Sequence, residues 1–167
     1  MMPHTLFTLQ VTIVDGLMAH DFIRTNPVVS RTIELRSDQT LNQLHRAIFD
    51  AFERWDDCHL SEFHLGPRPG DRHAERYVLP FVFDDPDRFD EPKPAGSMTA
   101  VRLGTLGPKV GRVFWYWYDF GDNWYHEVRV VTVGETAPGL RYPRVVASVG
   151  ASPPQYLPLD EDWDDDT

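Results

Sequence analysis

Acidic and imidazole side chains suited to chemistry gather in one short block, where Asp119 and Asp122 precede His126. Carboxylate oxygen and imidazole nitrogen together suit zinc, manganese or iron. Because side chains alternate between the two faces of a strand, His126 can lie near the bend that displays Asp122. With His59 from an earlier segment, these residues predict a polar site that could hold a divalent metal.

A purely structural role fits the same block. Aspartate and asparagine at a hairpin bend commonly accept backbone amide hydrogens, and Gly121 suits the positive φ that a tight turn requires. His126 can then donate to a carboxylate or to a backbone carbonyl. Since turn chemistry explains most of the pattern, bracing of the bend by Asp119, Asp122 and His126 is the favoured interpretation, and a ligand site is the alternative.

Two short motifs nearby carry little chemical information. The run Asp119-Phe120-Gly121 spells the magnesium motif of protein kinases, but no Gly-rich loop, strand lysine or His-Arg-Asp loop accompanies it. Cys58 and His59 are adjacent, and adjacent residues of an extended chain point to opposite sides. We therefore interpret the thiol as a bystander.

The block belongs to an aromatic-rich stretch, Arg112–Val133, which holds three of the five Trp residues of the chain. Two strand-like runs flank the polar break Asp119–Asn123, which is typical of a β-hairpin. Its consecutive rings, Phe114 to Tyr118, could stack nucleic-acid bases. No Lys or Arg interleaves with them, so packing in a core is the favoured interpretation.

Periodicity in the rest of the chain predicts an α+β fold. The predicted elements before the hairpin are the strands Thr5–Val14 and Val28–Leu35, the helix Leu41–Phe52, the strand Leu60–Leu65 and the short strand Tyr77–Phe83. Either Thr40 or Asp38 can cap the helix by accepting orphan amide hydrogens. We expect a mainly antiparallel sheet with one principal helix across a face, a β-grasp-like β-β-α-β start, and a long aromatic hairpin towards the C-terminus.

Length and charge predict one domain, residues 1–159, followed by a disordered acidic tail, residues 160–167. The tail carries six of the 26 acidic residues and no base. Removing these six charges from the net charge of −10 leaves −4 for the domain. An acidic domain is repelled by the phosphate backbone, so direct DNA binding is not expected.

The composition also predicts where the protein acts. No apolar run approaches the roughly 20 residues that a membrane-spanning helix needs. The first residues lack the basic and apolar regions of a signal peptide. A single cysteine, Cys58, excludes an internal disulfide and suits a reducing compartment, so we expect a cytoplasmic protein without a membrane partner.

Three blocks of the sequence resemble one known family. They are a helix with Leu-x-x-Leu-His, a following segment with Trp and His-Leu-x-x-Phe, and the block Tyr-Asp-Phe-Gly-Asp-x-Trp-x-His. The residues concerned are Leu41, Leu44, His45, Trp55, His59, Leu60, Phe63, Tyr118, Asp119, Phe120, Gly121, Asp122, Trp124 and His126. In order and spacing, from Leu6 to Pro154, the chain resembles the plasmid pRiA Orf-three-like family, whose members are also labelled as passenger proteins of insertion elements.

The resemblance implies an α+β domain without an established biochemical activity, linked by name to mobile elements. Members often end in a Cys-bearing, Gly-rich segment followed by Pro-Pro-Glu-Asp. The corresponding segment here, Val146–Gln155, lacks both the Cys and the acidic pair. If those groups contribute to a family site, that site is incomplete in this chain.

Three functions follow, in order of preference. The first is a small cytoplasmic binding or accessory module with a protein partner, a mobile-element context and no catalysis or cofactor of its own. The second is a metal-dependent enzyme that uses the four residues of the candidate site. The third is single-stranded nucleic-acid binding through exposed aromatic rings.

Overall fold

The computed structural model describes residues 4–71, 73–85 and 93–157. Its strands are β1 (Thr5–Asp15), β2 (Ser30–Arg36), β3 (Ser61–His64), β4 (Arg76–Val78), β5 (Gly96–Ser97), β6 (Val113–Tyr118), β7 (Trp124–Glu135) and β8 (Arg144–Val149). Its helices are α1 (His20–Thr25), α2 (Leu41–Ala51) and α3 (Pro80–Phe83), and a 3₁₀ turn spans Leu103–Leu106. None of the helices in these ranges is long and apolar enough to cross a membrane.

The strands form one eight-stranded sheet in the order β5-β4-β3-β6-β7-β1-β2-β8. Neighbouring strands are antiparallel except β4 and β5, which are parallel. A single mixed sheet with few helices agrees with the predicted α+β class. The β-grasp-like start is not confirmed, because α1 separates the first two strands and β3 pairs with β4 and β6 in the other half of the sheet.

The core lies between the sheet and α2, and it follows the alternation of the sequence. Apolar residues at every second position of the central strands are buried together with one face of α2. Among the most buried members are Leu9, Val11, Ile33, Leu35, Leu41, Leu44, Ile48, Phe63, Phe114, Tyr116, Trp124 and Val128. This packing fixes the position of the hairpin formed by β6 and β7 relative to the end of α2.

Helix α2 begins at a capping box. The hydroxyl of Thr40 accepts the N–H of Gln43 at 3.2 Å, and the side-chain oxygen of Gln43 accepts the N–H of Thr40 at 2.8 Å. Asp38, the alternative cap in the sequence, instead accepts a hydrogen bond from Arg36 Nε at 2.9 Å. The reciprocal bonds satisfy two orphan donors at the start of the helix.

One predicted strand is wrong in its second half. Within the predicted strand Tyr77–Phe83, strand pairing stops at Val78, and the short helix Pro80–Phe83 follows. Proline suits the first turn of a helix because it lacks an N–H and has a helical φ. The segment Asp84–Gly96, which its acidic and proline residues predict to be a surface loop, lies partly outside the described residues. The acidic tail 160–167 lies wholly outside them.

Candidate functional site

The bend of the hairpin is braced by Asp119. Its Oδ1 accepts the N–H of Gly121 at 3.1 Å and the N–H of Asp122 at 3.2 Å. The left-handed backbone conformations of the bend belong to Asp119, with φ 58°, and Asn123, with φ 55°. The prediction that Gly121 supplies the positive φ is therefore wrong. Aspartate and asparagine can replace glycine here because their short polar side chains hydrogen-bond locally.

His126 lies in the core, facing away from the bend. Its Nδ1–H donates to the carbonyl oxygen of Tyr116 at 3.2 Å, and its ring packs against Phe52 and Tyr116. Burial, followed by the positive charge of Arg54, lowers the pKa of His126 to about 3. The ring is thus a neutral core group that joins β6, β7 and the end of α2.

His59 lies against the bend, as the polar site predicted from the sequence requires. Its Nδ1 is 3.5 Å from Oδ1 of Asp119, and its Nε2 is 2.5 Å from the hydroxyl of Tyr156. The ring is only partly exposed and packs edge-on against Tyr118. The structure therefore brings together His59 and Asp119, which are 60 positions apart in the chain.

Asp56 completes this group of polar side chains. The Tyr156 hydroxyl donates to Oδ2 of Asp56 at 2.6 Å, and the same oxygen lies 3.5 Å from Nε2 of His59. The hydrogen bond lowers the pKa of Asp56 and raises the pKa of Tyr156 to about 12. We call Asp56, His59, Asp119 and Tyr156 the His59 cluster.

The geometry of the His59 cluster assigns its protons. The Tyr156 hydroxyl donates its one hydrogen to Asp56. In its contact with His59 it is therefore the acceptor, and Nε2–H of His59 is the donor. A second hydrogen on Nδ1 would point at the Asp119 carboxylate. The ring therefore presents its Nδ1 edge to a carboxylate while its Nε2–H is bonded to Tyr156. This arrangement suits either a fixed recognition surface or acid–base chemistry.

Tyr156 belongs to the C-terminal segment, residues 149–157, which Arg31 fastens to the rest of the fold. The guanidinium donates from Nη1 to the carbonyl of Val149 at 3.1 Å and from Nη2 to the hydroxyl of Ser152 at 2.9 Å. Its Nε donates to the carbonyl of Ala51 at the end of α2, at 3.0 Å. One buried side chain thus joins α2 to the C-terminal segment.

A second set of bonds positions the end of this segment. Arg54 donates to the carbonyl of Pro153 at 2.8 Å. The side-chain oxygen of Gln155 accepts the backbone N–H groups of Trp55 at 3.0 Å and Asp56 at 3.1 Å. The amide nitrogen of Gln155 donates to the carbonyl of Asp56 at 2.8 Å. Gln155 therefore satisfies the backbone of the loop that carries Asp56.

A cleft of about 290 Å³ opens beside the His59 cluster. It is lined by Glu53, Trp55, Ser152, Pro153, Pro154, Gln155 and Tyr156. The Trp55 side chain is 70% exposed and packs edge-on against Tyr156, with 5.5 Å between ring centroids. Tyr156 belongs to both the cleft and the His59 cluster, because its side chain lines the cleft and its hydroxyl contacts His59 and Asp56.

The sequence was then compared with known proteins. The model of the family described as plasmid pRiA4b ORF-3-like protein matches residues 21–157. The chain belongs to this family. The matched range contains the whole hairpin, the His59 cluster and the C-terminal segment, so the resemblance that the sequence motifs indicate is confirmed.

Solved structures add a similar fold. The crystal structure of MM3350 from Methanosarcina mazei Go1, a protein of unknown function, is 27% identical and superposes with a TM-score of 0.63. The similarity covers 89% of this chain and 71% of that chain. No curated protein matches this sequence.

In this pRiA4b ORF-3-like chain, two other polar residues, His45 and Glu62, lie apart from the His59 cluster. Nδ1 of His45 lies 2.5 Å from the Tyr116 hydroxyl in the core, and burial lowers the pKa of His45 to about 4. Glu62 is buried and accepts hydrogen bonds from His64 at 2.8 Å and from Arg76 at 3.1 Å. Both residues therefore stabilise the sheet and do not extend the His59 cluster.

The four predicted ligands do not meet at one point. His59 contacts Asp119, whereas His126 donates into the core and Asp122 contributes its backbone N–H to the bend. In the described ranges, no group of three or more His, Cys, Asp or Glu side chains could hold a metal ion. At the edge of the cleft, the carboxylates of Asp56 and Asp119 lie beside the imidazole of His59.

Cys58 sits beside the His59 cluster, and its environment disfavours the thiolate. The side chain is exposed, and its backbone N–H donates to Oδ1 of Asp56 at 3.1 Å. The negative charge of Asp56 raises the pKa of the Cys58 thiol. A nucleophilic cysteine needs a lowered pKa, so the geometry gives no support to a Cys58–His59 catalytic pair.

The aromatic rings of β6 divide between the two faces of the sheet. Phe114, Tyr116 and Tyr118 are buried, whereas Trp115 and Trp117 lie half-buried on the opposite face. Trp117 stacks on Phe120 at 3.7 Å and on Tyr125 at 5.4 Å between ring centroids. Rings of the protein itself therefore occupy the stacking positions that nucleic-acid bases would need.

Sequence reasoning missed Asp56, Gln155 and Tyr156. Tyr156 lies 97 positions from His59 and 100 from Asp56, so no local pattern links them. The signals available were an Asp-Asp pair after Trp55 and a Gln-Tyr pair after two prolines. Neither signal indicates a site, because only the folded position of the C-terminal segment brings these residues together.

Proposed function

We propose that this domain is a non-catalytic binding module that recognises a protein partner through the cleft lined by Trp55 and Tyr156. The observation that carries the proposal is the Trp55 ring, which is 70% exposed at the rim of a formed cleft. Trp and Tyr are enriched among the residues that dominate binding energy at protein interfaces. An exposed ring of this size beside a cavity favours a recognition surface over a packing role.

The rigidity of the cleft supports the same function. The backbone N–H of Trp55 is held by Gln155, and the Tyr156 hydroxyl is held by Asp56 and His59. A binding surface whose side chains are already fixed loses less conformational entropy when a partner arrives. In this proposal the role of the His59 cluster is to fix the position of Tyr156 in the cleft.

The setting of the partner is also part of the proposal. The family description refers to a plasmid open reading frame, which supports an accessory role linked to mobile genetic elements. The exposed thiol of Cys58, the one cysteine of the chain, is stable in a reducing compartment and supports a cytoplasmic site of action.

A displayed library of random peptides tests the module. Peptides are selected on the wild-type domain, and their affinities are then measured for Trp55→Ala and, as the matched control, for Phe81→Ala. Phe81 is 66% exposed but lies on α3, away from the cleft. Selected peptides should lose about thirtyfold in affinity on Trp55→Ala, the effect of a hot spot worth about 2 kcal/mol. Equal binding to both variants would exclude the cleft as the recognition site.

Acid–base catalysis at His59 is a second candidate function. It is favoured by the continuous arrangement of Asp119, His59, Tyr156 and Asp56, in which an imidazole lies between carboxylates. Chromogenic ester, phosphoester and glycoside substrates, with and without added Zn²⁺ or Mn²⁺, test it. Catalysis predicts turnover that His59→Gln abolishes; turnover that is absent, or unchanged in this variant, removes the candidate.

A further inference from the structure

The size of the Trp55–Tyr156 cleft limits what it can hold. Its volume of about 290 Å³ lies at the lower end of ligand pockets, which span roughly 300–1,000 Å³. Two aromatic rings and two prolines form its walls, and Glu53 adds a carboxylate. A cleft of this size suits one long side chain of a partner.

The charges around the mouth of the cleft are mostly negative. Glu53 lines the cleft and is exposed. The hydrogen bond to Asp56 is the main cause of the raised pKa of Tyr156, and the charges of Asp56, Asp119 and Asp122 raise it further. A cation near the Tyr156 hydroxyl is therefore attracted by several carboxylates at once.

The sequence beyond the cleft increases this charge. The chain continues from Leu157 into residues 160–167, which contain six acidic residues and no base. These residues add to the net negative charge of the chain.

Two positive charges lie beneath the cleft and limit how deep a cation can go. Arg31 donates to the Ser152 hydroxyl, and Arg54 donates to the carbonyl of Pro153. Both guanidinium groups are largely buried and are bonded to oxygen atoms of the protein. They repel a cation at the floor of the cleft, so an incoming charge is favoured at the rim, between Glu53 and the rings.

We propose that the cleft binds the guanidinium group of an arginine on a basic segment of the partner, with the exposed ring of Trp55 against its plane and Glu53 opposite its charge. The inference rests on the proposed function and names the chemistry of the partner. Arginine fits better than lysine because its planar, weakly hydrated head stacks on aromatic rings. The acidic residues near the cleft increase the rate at which such a segment arrives.

Fluorescence anisotropy with two synthetic peptides tests the inference. The probe contains arginines separated by glycine and serine, and its control carries citrulline, which has the shape of arginine without the charge. The wild-type domain should bind the arginine peptide about tenfold more tightly than the citrulline peptide. Glu53→Gln should weaken the arginine peptide severalfold, whereas the matched change Glu135→Gln, at the far end of β7, should have no effect.

Trp55→Ala separates stacking from general charge attraction, since it leaves the net charge unchanged. It should weaken the arginine peptide about tenfold at every salt concentration. Replacing the six acids of residues 160–167 by amides should weaken binding chiefly at low salt, because exposed charges are screened within about 10 Å at 0.1 M.

The outcomes distinguish this inference from the proposed function. If both peptides bind equally and Trp55→Ala weakens both, the cleft binds peptides but not arginine, and only the inference fails. If the arginine peptide binds better but Trp55→Ala has no effect, the binding is general charge attraction and the inference also fails. If neither peptide binds while the library-selected peptides still depend on Trp55, the partner chemistry is different and the module stands.

Discussion

At the scale of single residues, Asp119 combines two requirements of the hairpin bend. Its backbone adopts a left-handed conformation, and its carboxylate accepts the amide hydrogens of Gly121 and Asp122. The same oxygen faces Nδ1 of His59. A residue that shapes the turn therefore also sets one boundary of the His59 cluster, which links folding to the candidate site.

Asp119→Ala should lower the free energy of unfolding by about 2 kcal/mol, because two bonds to a charged acceptor are lost and alanine is strained at this φ. Asp119→Asn keeps an acceptor and tolerates the left-handed conformation, so it should lower the free energy by less than about 1 kcal/mol. Urea unfolding with linear extrapolation measures both values. Equal losses for the two variants would contradict this account of the bend.

Two buried imidazoles make stability depend on pH. Burial lowers the pKa of His126 to about 3 and that of His45 to about 4, from an ordinary value of 6.5. As pH falls below 6.5, the unfolded chain binds protons that the folded chain refuses, so folding loses free energy. The stabilisation is complete above pH 6.5 and declines until the folded pKa of each ring is reached.

His126→Gln should make stability less sensitive to acid. Between pH 6 and pH 4 the free energy of unfolding of the wild type should fall more steeply than that of the variant, by about 1.4 kcal/mol per pH unit. Carboxylates titrate in both proteins, and their contribution cancels in the comparison. Urea unfolding at several pH values gives the two slopes, and parallel curves would falsify the assignment of a neutral buried His126.

At the scale of elements, side-chain hydrogen bonds give the C-terminal segment a defined position in the fold. It has no regular structure after β8, yet it is held by Arg31, Arg54 and Gln155 through side-chain bonds to the backbone. Because a buried polar group without a partner is unfavourable, these bonds define one position for the segment. That position brings Tyr156 to His59.

Gln155→Ala should release the end of this segment. It leaves the amides of Trp55 and Asp56 without their acceptor, and we expect the free energy of unfolding to fall by about 3 kcal/mol. Hydrogen exchange at these two amides should become faster than at the core strands. Leu157→Ala, a change at the neighbouring and 37% exposed Leu157, is the control and should affect neither measurement. Unchanged exchange would show that the segment is held by other contacts.

At the scale of the whole molecule, the sheet joins distant parts of the chain. Strand β8, near the C-terminus, pairs with β2, and the hairpin of β6 and β7 lies between β3 and β1. The cleft likewise combines Glu53 and Trp55, which follow α2, with residues of the C-terminal segment. The site therefore forms only when strands from distant parts of the chain have paired.

The domain boundary proposed at residue 159 gives a prediction at this scale. Deletion of residues 160–167 should change the free energy of unfolding by no more than about 0.5 kcal/mol, as for surface changes without buried partners. The net charge would change from −10 to −4. Thermal and urea unfolding of both proteins test the boundary, and a loss above about 1 kcal/mol would show that the tail belongs to the domain.

The sequence alone determined the principal local elements and the family. Alternation identified β1, helical spacing and Thr40 identified α2, and the polar break at residues 119–123 identified the hairpin, because each of these signals comes from neighbouring residues. Three sequence blocks, of which the block around Asp119 is the most specific, indicated the pRiA4b ORF-3-like family, which the family match confirms. The core packing predicted for the rings from Phe114 to Tyr118 holds only for alternate rings, because a strand has a two-residue period.

Tertiary structure decided which of these residues form a site. His126 and Asp119 are close in sequence, but the pleat of β7 turns His126 into the core, whereas the bend faces His59. Tyr156 reaches His59 across 97 positions through contacts that no local period encodes. The order of the strands, and with it the cleft beside Trp55, depends on packing between distant segments, which a single sequence does not specify.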